Sequence, residues 1–169
     1  WEGAAIQHEI PEESNLQPTS RTSIRYRLPT WLHDGKRLIA VTDSGGEEQL
    51  VVFNWDQSEP VENFSDLDIG RPEKIVPNPK KNQILLSNHR YELLFFDLST
   101  HELRRIDRGQ SNPIGGFNWA PDGEWAAYSV STSIQIQVLK LWNASTNEIY
   151  SLTKPILRDV EPAFDPQGN

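Results

Sequence analysis

The 169-residue chain contains no cysteine and no methionine. Without thiols it has no disulfide, no thiolate zinc site and no cysteine nucleophile. Without an initiator methionine it reads as a piece of a longer protein. Cations are scarce: 16 Lys and Arg stand against 24 Asp and Glu, a net charge of −8. That balance argues against a nucleic-acid partner, which is normally met by a basic patch. No apolar run approaches the roughly 18–20 residues of a membrane helix, and no charged-then-apolar leader opens the chain. A membrane partner is therefore not expected either. What remains, with 12 Pro and 10 Gly in 169 residues, is a turn-rich chain the size of one domain or part of one.

The turns recur. Phe117-Asn118-Trp119-Ala120-Pro121-Asp122-Gly123 precedes the apolar run Trp125-Ala126-Ala127-Tyr128, and Thr30-Trp31-Leu32-His33-Asp34-Gly35 precedes Leu38-Ile39-Ala40-Val41. Phe164-Asp165-Pro166-Gln167-Gly168 has the same shape, and Pro77-Asn78-Pro79-Lys80-Lys81 is a weaker copy before Ile84-Leu85-Leu86. Aligning Gly35, Lys81, Gly123 and Gly168 gives spacings of 46, 42 and 45. A second register agrees: Asn54, Asp97 and Asn143 each open a polar turn with Glu five positions on, spaced by 43 and 46. Two unrelated turn types sharing one period mark a structural repeat.

Each repeat reads as four short strands. Asp and Gly in the first turn supply the side-chain acceptor and the positive φ that a tight hairpin needs. Second strands are expected at Arg37–Thr42, Gln83–Ser87 and Trp125–Ser129, and third strands at Gln49–Phe53, Glu92–Phe96 and Ile134–Leu141. Shorter fourth strands are expected at Val61–Phe64, Leu103–Ile106 and Ile149–Leu152. The inner strands are apolar with little alternation, which predicts burial on both faces, as in sheets stacked face to face. No helical period appears.

Four strands per repeat of about 40–45 residues predict an all-β chain, a partial β-propeller of four-stranded antiparallel blades. The length covers about three blades plus the start of a fourth. The expected division is the end of a preceding blade and a connecting loop at 1–23, blades at 24–65, 66–108 and 109–153, and the truncated next blade at 154–169. Closed propellers have about four to eight blades. Three alone would leave apolar faces open at both ends, so self-association into a homo-oligomer is expected. Trp31 and Trp119 occupy equivalent positions and read as blade core.

The string Trp119-Ala120-Pro121-Asp122-Gly123-Glu124-Trp125-Ala126-Ala127-Tyr128-Ser129 resembles the repeat of TolB-like and tricorn-type propellers. Trp1-Glu2-Gly3-Ala4-Ala5-Ile6-Gln7, Leu67-Asp68-Ile69-Gly70-Arg71, Ser87-Asn88-His89-Arg90-Tyr91-Glu92-Leu93 and Leu157-Arg158-Asp159-Val160-Glu161-Pro162-Ala163-Phe164-Asp165-Pro166 narrow the resemblance to tricorn protease homologues, to their second, seven-bladed propeller. The resemblance implies a non-catalytic part of a large, cytoplasmic, oligomeric serine peptidase. Its propeller would gate or guide peptides to an active site in distant domains of the same chain. The partners implied are peptides, the remaining blades and the catalytic domains. The alternative is a stand-alone TolB-like or WD-like module for protein–protein interaction. Two features depart from the family pattern: Pro77–Lys81 lacks the aromatic and the Asp-Gly, which predicts an irregular hairpin, and Glu9–Ser20 is long and acidic for a connector.

No catalytic, metal or cofactor constellation emerges. Ser151-Leu152-Thr153-Lys154 matches Ser-x-x-Lys but closes a strand instead of opening a helix. No Gly-x-Ser-x-Gly elbow and no phosphate loop occur. His8 beside Glu9, Glu12 and Glu13 lacks a second nitrogen ligand, and Asp43–Glu48 lacks the ligand order of a calcium loop and reads as a Gly-Gly turn. Asn63-Phe64-Ser65 and Asn143-Ala144-Ser145 are formal sequons without a leader.

One site expectation remains. Propeller rims bind through loops held by rigid strands. The register gathers Asp43–Glu48, Ser87–Arg90 and Val130–Ser133 on one rim, with the connections Asp68–Arg71, Arg108–Asn112 and Leu157–Asp159. Arg71, Arg90 and Arg158 are thereby the candidate peptide-binding or channel residues, since guanidinium forks suit peptide carboxylates.

Overall fold

The structure is a computed structural model that describes residues 24–133 and 135–167. The stretch 1–23, with His8 and the acidic Glu9–Ser20, lies outside the described residues, as do Ile134 and Gly168.

The described residues contain no helix and form three four-stranded antiparallel sheets, each in simple chain order. The first holds β1 (Tyr26–Trp31), β2 (Arg37–Thr42), β3 (Gln49–Asn54) and β4 (Glu62–Phe64). The second holds β5 (Pro72–Pro77), β6 (Gln83–Asn88), β7 (Glu92–Asp97) and β8 (Glu102–Arg108), and the third holds β9 (Phe117–Trp119), β10 (Trp125–Ser131), β11 (Gln137–Asn143) and β12 (Ile149–Ser151). These are propeller blades, as the repeat predicts. The largest departure from the expected strand starts is in the third blade. Thr132 donates to the Ile136 carbonyl at 3.0 Å, so the chain turns there and β11 begins at Gln137.

The blades stack because the middle one is apolar on both sides. Alternate residues of β6 and β7 divide between two cores. Ile84, Leu86, Leu94 and Phe96 pack toward the first blade, with Ile39, Val41, Leu50, Val52 and Phe64. Leu85, Leu93 and Phe95 pack toward the third, with Phe117, Trp119, Tyr128 and Trp142. Each such side chain removed from water contributes roughly 1.5–3 kcal/mol.

Trp119 is 7% exposed and packs back on the second blade, its indole N–H donating to the Val76 carbonyl at 3.1 Å. Trp31, at the equivalent position of the first blade, is 52% exposed. Its equivalent direction leads away from the second blade, to the side on which no described sheet stands.

The turn lacking Asp-Gly is altered in chemistry but not in length. Leu32 donates to the Arg37 carbonyl at 2.9 Å, Ala120 to that of Trp125 at 2.7 Å, and Asn78 to that of Gln83 at 2.8 Å, closing three hairpins of equal span. In the first, Asp34 Oδ1 accepts from the backbone of Lys36 and Arg37. In the second, Asn78 Oδ1 does that work for Lys80 and Lys81, at 2.8 and 3.1 Å.

Candidate functional site

The rim opposite these turns carries the β2–β3, β6–β7 and β10–β11 turns and the connections between blades. Its β6–β7 turn is held by a network of side-chain hydrogen bonds. Asn88, fully buried, organises it: Oδ1 accepts from the backbone of Arg90 and Glu92 at 3.0 and 3.2 Å. Nδ2 donates to the Ile69 carbonyl at 3.0 Å and to Glu92 Oε2 at 2.8 Å. One side chain thus closes the turn and ties it to the connection arriving from the first blade. Tyr91 takes φ 65° to complete the turn, and its N–H donates to the Asn88 carbonyl at 3.0 Å.

Arg90 spreads its guanidinium over Asp68 Oδ1 at 2.7 Å, the Asp68 carbonyl at 3.0 Å and Glu92 Oε2 at 2.8 Å. Arg105 reaches the other Glu92 oxygen at 3.3 Å. Burial pushes the Glu92 carboxyl up, but hydrogen bonds from Asn88 and Arg105 and the charge of Arg90 outweigh it, leaving the group below its ordinary value. The Asp68 hydrogen bond in turn raises Arg90.

The three candidate arginines therefore differ. Arg90 is neutralised by two carboxylates and clamps the 66–71 connection to the hairpin. Arg71 is exposed and has no ion pair among the described residues. Its backbone is held at both ends by His89: Arg71 N–H donates to His89 Nδ1 at 3.0 Å, and its carbonyl accepts from His89 N–H at 3.0 Å. Arg158 is also exposed, also without an ion pair among the described residues, and bridges in parallel to Gln137.

Arg71 and Arg90 share one corner, where a Cβ on Gly70 would come within 3.1 Å of Arg90 Nε. Arg158 stands elsewhere. Arg71 lines a cleft of about 400 Å³ between the first two blades, with Glu47, Glu48, Asp68 and His89. Arg158 lines one of about 360 Å³ at the third blade, with Ser129, Gln137 and Glu161. Neither the Asn88–Glu92 network nor the Gln137 amide was foreseen from the sequence. The only prior signal for the first is an Asn at a strand end four residues before a Glu. Among the described residues no group of three or more His, Asp or Glu is placed to hold a metal ion, and no helix is long and apolar enough to cross a membrane.

A family model described as the tricorn protease second β-propeller domain matches residues 3–169. This chain belongs to that family. A tricorn protease homolog of Saccharolobus solfataricus is 31% identical over 154 residues, covering 91% of this chain and 14% of that protein. The crystal structure of the tricorn protease superposes with a TM-score of 0.76 at 18% identity, over 85% of this chain and 14% of that one. TolB from Acinetobacter baumannii shares the fold at a TM-score of 0.58 and 16% identity, over 85% of this chain and 36% of that one. The tricorn-family chain spans 18% and 14% of the lengths of the first two curated relatives it matches.

Proposed function

We propose that this tricorn-family propeller is a non-catalytic segment of a cytoplasmic serine peptidase, and that its rim guides peptides toward a distant active site. Its outer blade faces then take the neighbouring blades of the parent chain and help scaffold a homo-oligomer. Family membership supports the peptidase context. The observation that carries the guiding role is that two rim arginines lining clefts, Arg71 and Arg158, are exposed without ion pairs among the described residues, in a chain of net charge −8. Arg90 supports them by fixing the loop that presents Arg71. A guanidinium fork that no side chain engages suits the carboxylate of a passing peptide, beside the Glu47, Glu48 and Asp68 that share the Arg71 cleft and the Glu161 that shares the Arg158 cleft. The competing reading, a stand-alone TolB-like interaction module, has only a likeness of fold behind it.

The test is hydrolysis by the full-length protein of long peptides against single-residue amides. Reversing charge with Arg71→Glu and Arg158→Glu is expected to lower the long-to-short ratio of kcat/KM by about tenfold, as lost electrostatic steering does. An unchanged ratio would remove the guiding role.

A further inference from the structure

One cavity collects polar groups that the fold leaves unused. It measures about 360 Å³ and lies between the connection at 112–116 and the chain at 158–161. Gln137 lines it, is only 8% exposed, and has a buried Oε1 with no hydrogen-bond partner among the described residues. A buried acceptor left unpaired is rare in a folded protein and requires a reason.

The neighbours of Gln137 supply one. Gln137 and Arg158 are bridge partners, and Asp159 N–H donates to the Gln137 carbonyl at 3.1 Å. Residues opposite each other in a ladder project to one side, and both side chains line the same cavity. Glu161 lines it too, and takes φ 54°, a left-handed conformation that residues bearing a Cβ avoid. Strain of that kind persists where its surroundings dictate it, often at binding sites. Gly116 permits the close approach: a Cβ there would come within 2.8 Å of the Glu161 nitrogen. Neither Arg158 nor Glu161 has an ion pair among the described residues. The cavity therefore offers one cation and one anion that are not paired with each other, beside a Gln137 whose orphan acceptor is closed to solvent.

We propose that this cavity binds a small zwitterion, a free α-amino acid or a dipeptide. The carboxylate sits on the Arg158 guanidinium, the ammonium donates to Glu161, and the Gln137 amide turns on binding to bring its enclosed Oε1 to the ammonium. A ligand carrying both charges satisfies all three groups, whereas a lone carboxylate leaves Glu161 facing it unpaired. The volume is near the lower end of ligand sites, roughly 300–1,000 Å³, which suits a ligand of this size better than a long peptide. The proposal deepens the peptide-handling reading and rests on it: a peptidase releases small zwitterions.

The experiment is titration calorimetry on the full-length protein with dialanine, N-acetyl-dialanine and dialanine amide. Dialanine is expected to bind, and either cap to weaken binding by about tenfold or more, the usual effect of losing one charge-assisted contact. Arg158→Gln and Gln137→Leu are each expected to weaken dialanine by a similar factor, with Arg158→Lys intermediate. Gln137→Leu and Arg158→Lys keep the test open where Arg158→Gln does not fold, and they separate this cavity from the distant active site of the parent chain. No binding, equal binding of the capped forms, or unchanged binding in both variants overturns the proposal. Equal binding of N-acetyl-dialanine with loss of the amide would point to recognition of a peptide C-terminus and equally overturn it. Dialanine binding is read independently of long-peptide hydrolysis, so failure here and failure of the guiding role are distinguishable.

Discussion

Asn78 Nδ2 donates to the Gly123 carbonyl at 2.8 Å, joining the second and third blades across 45 positions of sequence. Asn78 is fully buried, and its Oδ1 holds the Lys80 and Lys81 N–H groups of its own turn. One side chain thus replaces a missing Asp-Gly turn and latches two blades.

Asn78→Ala is accordingly expected to destabilise the fold by about 2–4 kcal/mol, because it leaves two N–H groups and a buried carbonyl without partners. Asn78→Asp keeps the turn bonds but loses the donor to Gly123, and should lie between wild type and alanine. Hydrogen exchange at the Lys80 and Lys81 amides checks this: protection should fall in the alanine variant and survive in the aspartate variant. Equal protection in all three proteins would refute the latch.

Gly123 is the other half of that contact and differs from its counterpart Gly35. Both have positive φ, +74° and +63°. A Cβ on Gly35 meets nothing within 4 Å, whereas one on Gly123 would lie 2.4 Å from Asn78 Oδ1. Gly35→Ala should cost about 1–2 kcal/mol for backbone conformation alone. Gly123→Ala should cost at least about 1 kcal/mol more, because the Asn78 side chain must move and surrender its bond. Urea midpoints of the two variants, measured side by side, decide it; equal losses would show that the Asn78 contact is not rigid.

The fold was legible in the sequence because two turn types repeat with one period, and the apolar runs between them had to be buried on both faces. Strand positions followed from that register. What escaped depended on long-range pairing. Nothing local distinguishes Trp31 from Trp119; only the presence of a sheet on one side does. Arg71 and Arg90 look alike in sequence, yet Asp68, 22 positions before Arg90, consumes one of them. Gln137 belonged to an alternating run that read as strand from Ile134 onward, and the Thr132–Ile136 bond moved it to the strand's first position and into a cavity. Hairpin chemistry is local and readable, while the choice between a clamp and a free cation is made by distant loops.

Acid should weaken both ends of the blades. Burial pushes the Asp34 carboxyl up, but backbone hydrogen bonds from Lys36 and Arg37 and the Arg37 guanidinium bring it down from 3.8 to about 2. Glu92 is likewise lowered from 4.5. A carboxyl whose folded pKa lies below its unfolded one contributes stability above the unfolded value and loses it as pH falls. Stability should therefore hold down to pH about 5, then decline, with the Asp34 part lost between pH about 4 and about 2. Asp34→Asn and Glu92→Gln should each lower the thermal midpoint at pH 7 and flatten its fall toward pH 3. A variant whose midpoint falls as steeply as wild type would exclude that carboxyl as a source.

At the alkaline end the second and third blades are joined by Asp107. Tyr128 donates its hydroxyl to Asp107 Oδ2 at 2.9 Å, and Lys140 Nζ reaches the same oxygen at 2.8 Å. Tyr128 is fully buried, and burial, then the charge of Asp107 and its hydrogen bond, push the phenol far above its ordinary value of 10.0. A raised folded pKa contributes stability below the unfolded pKa and loses it as pH rises beyond, so the link weakens above pH about 10. Tyr128→Phe removes a bond to a charged acceptor, worth about 1.5–3 kcal/mol, but leaves Asp107 with Lys140, so the lower end of that range is expected. In spectrophotometric titration of the folded protein one tyrosine should resist ionisation until unfolding, and the Tyr128→Phe variant should lack that delayed component. A delayed component that persists in the variant would assign it to another tyrosine and leave Asp107 held by Lys140 alone.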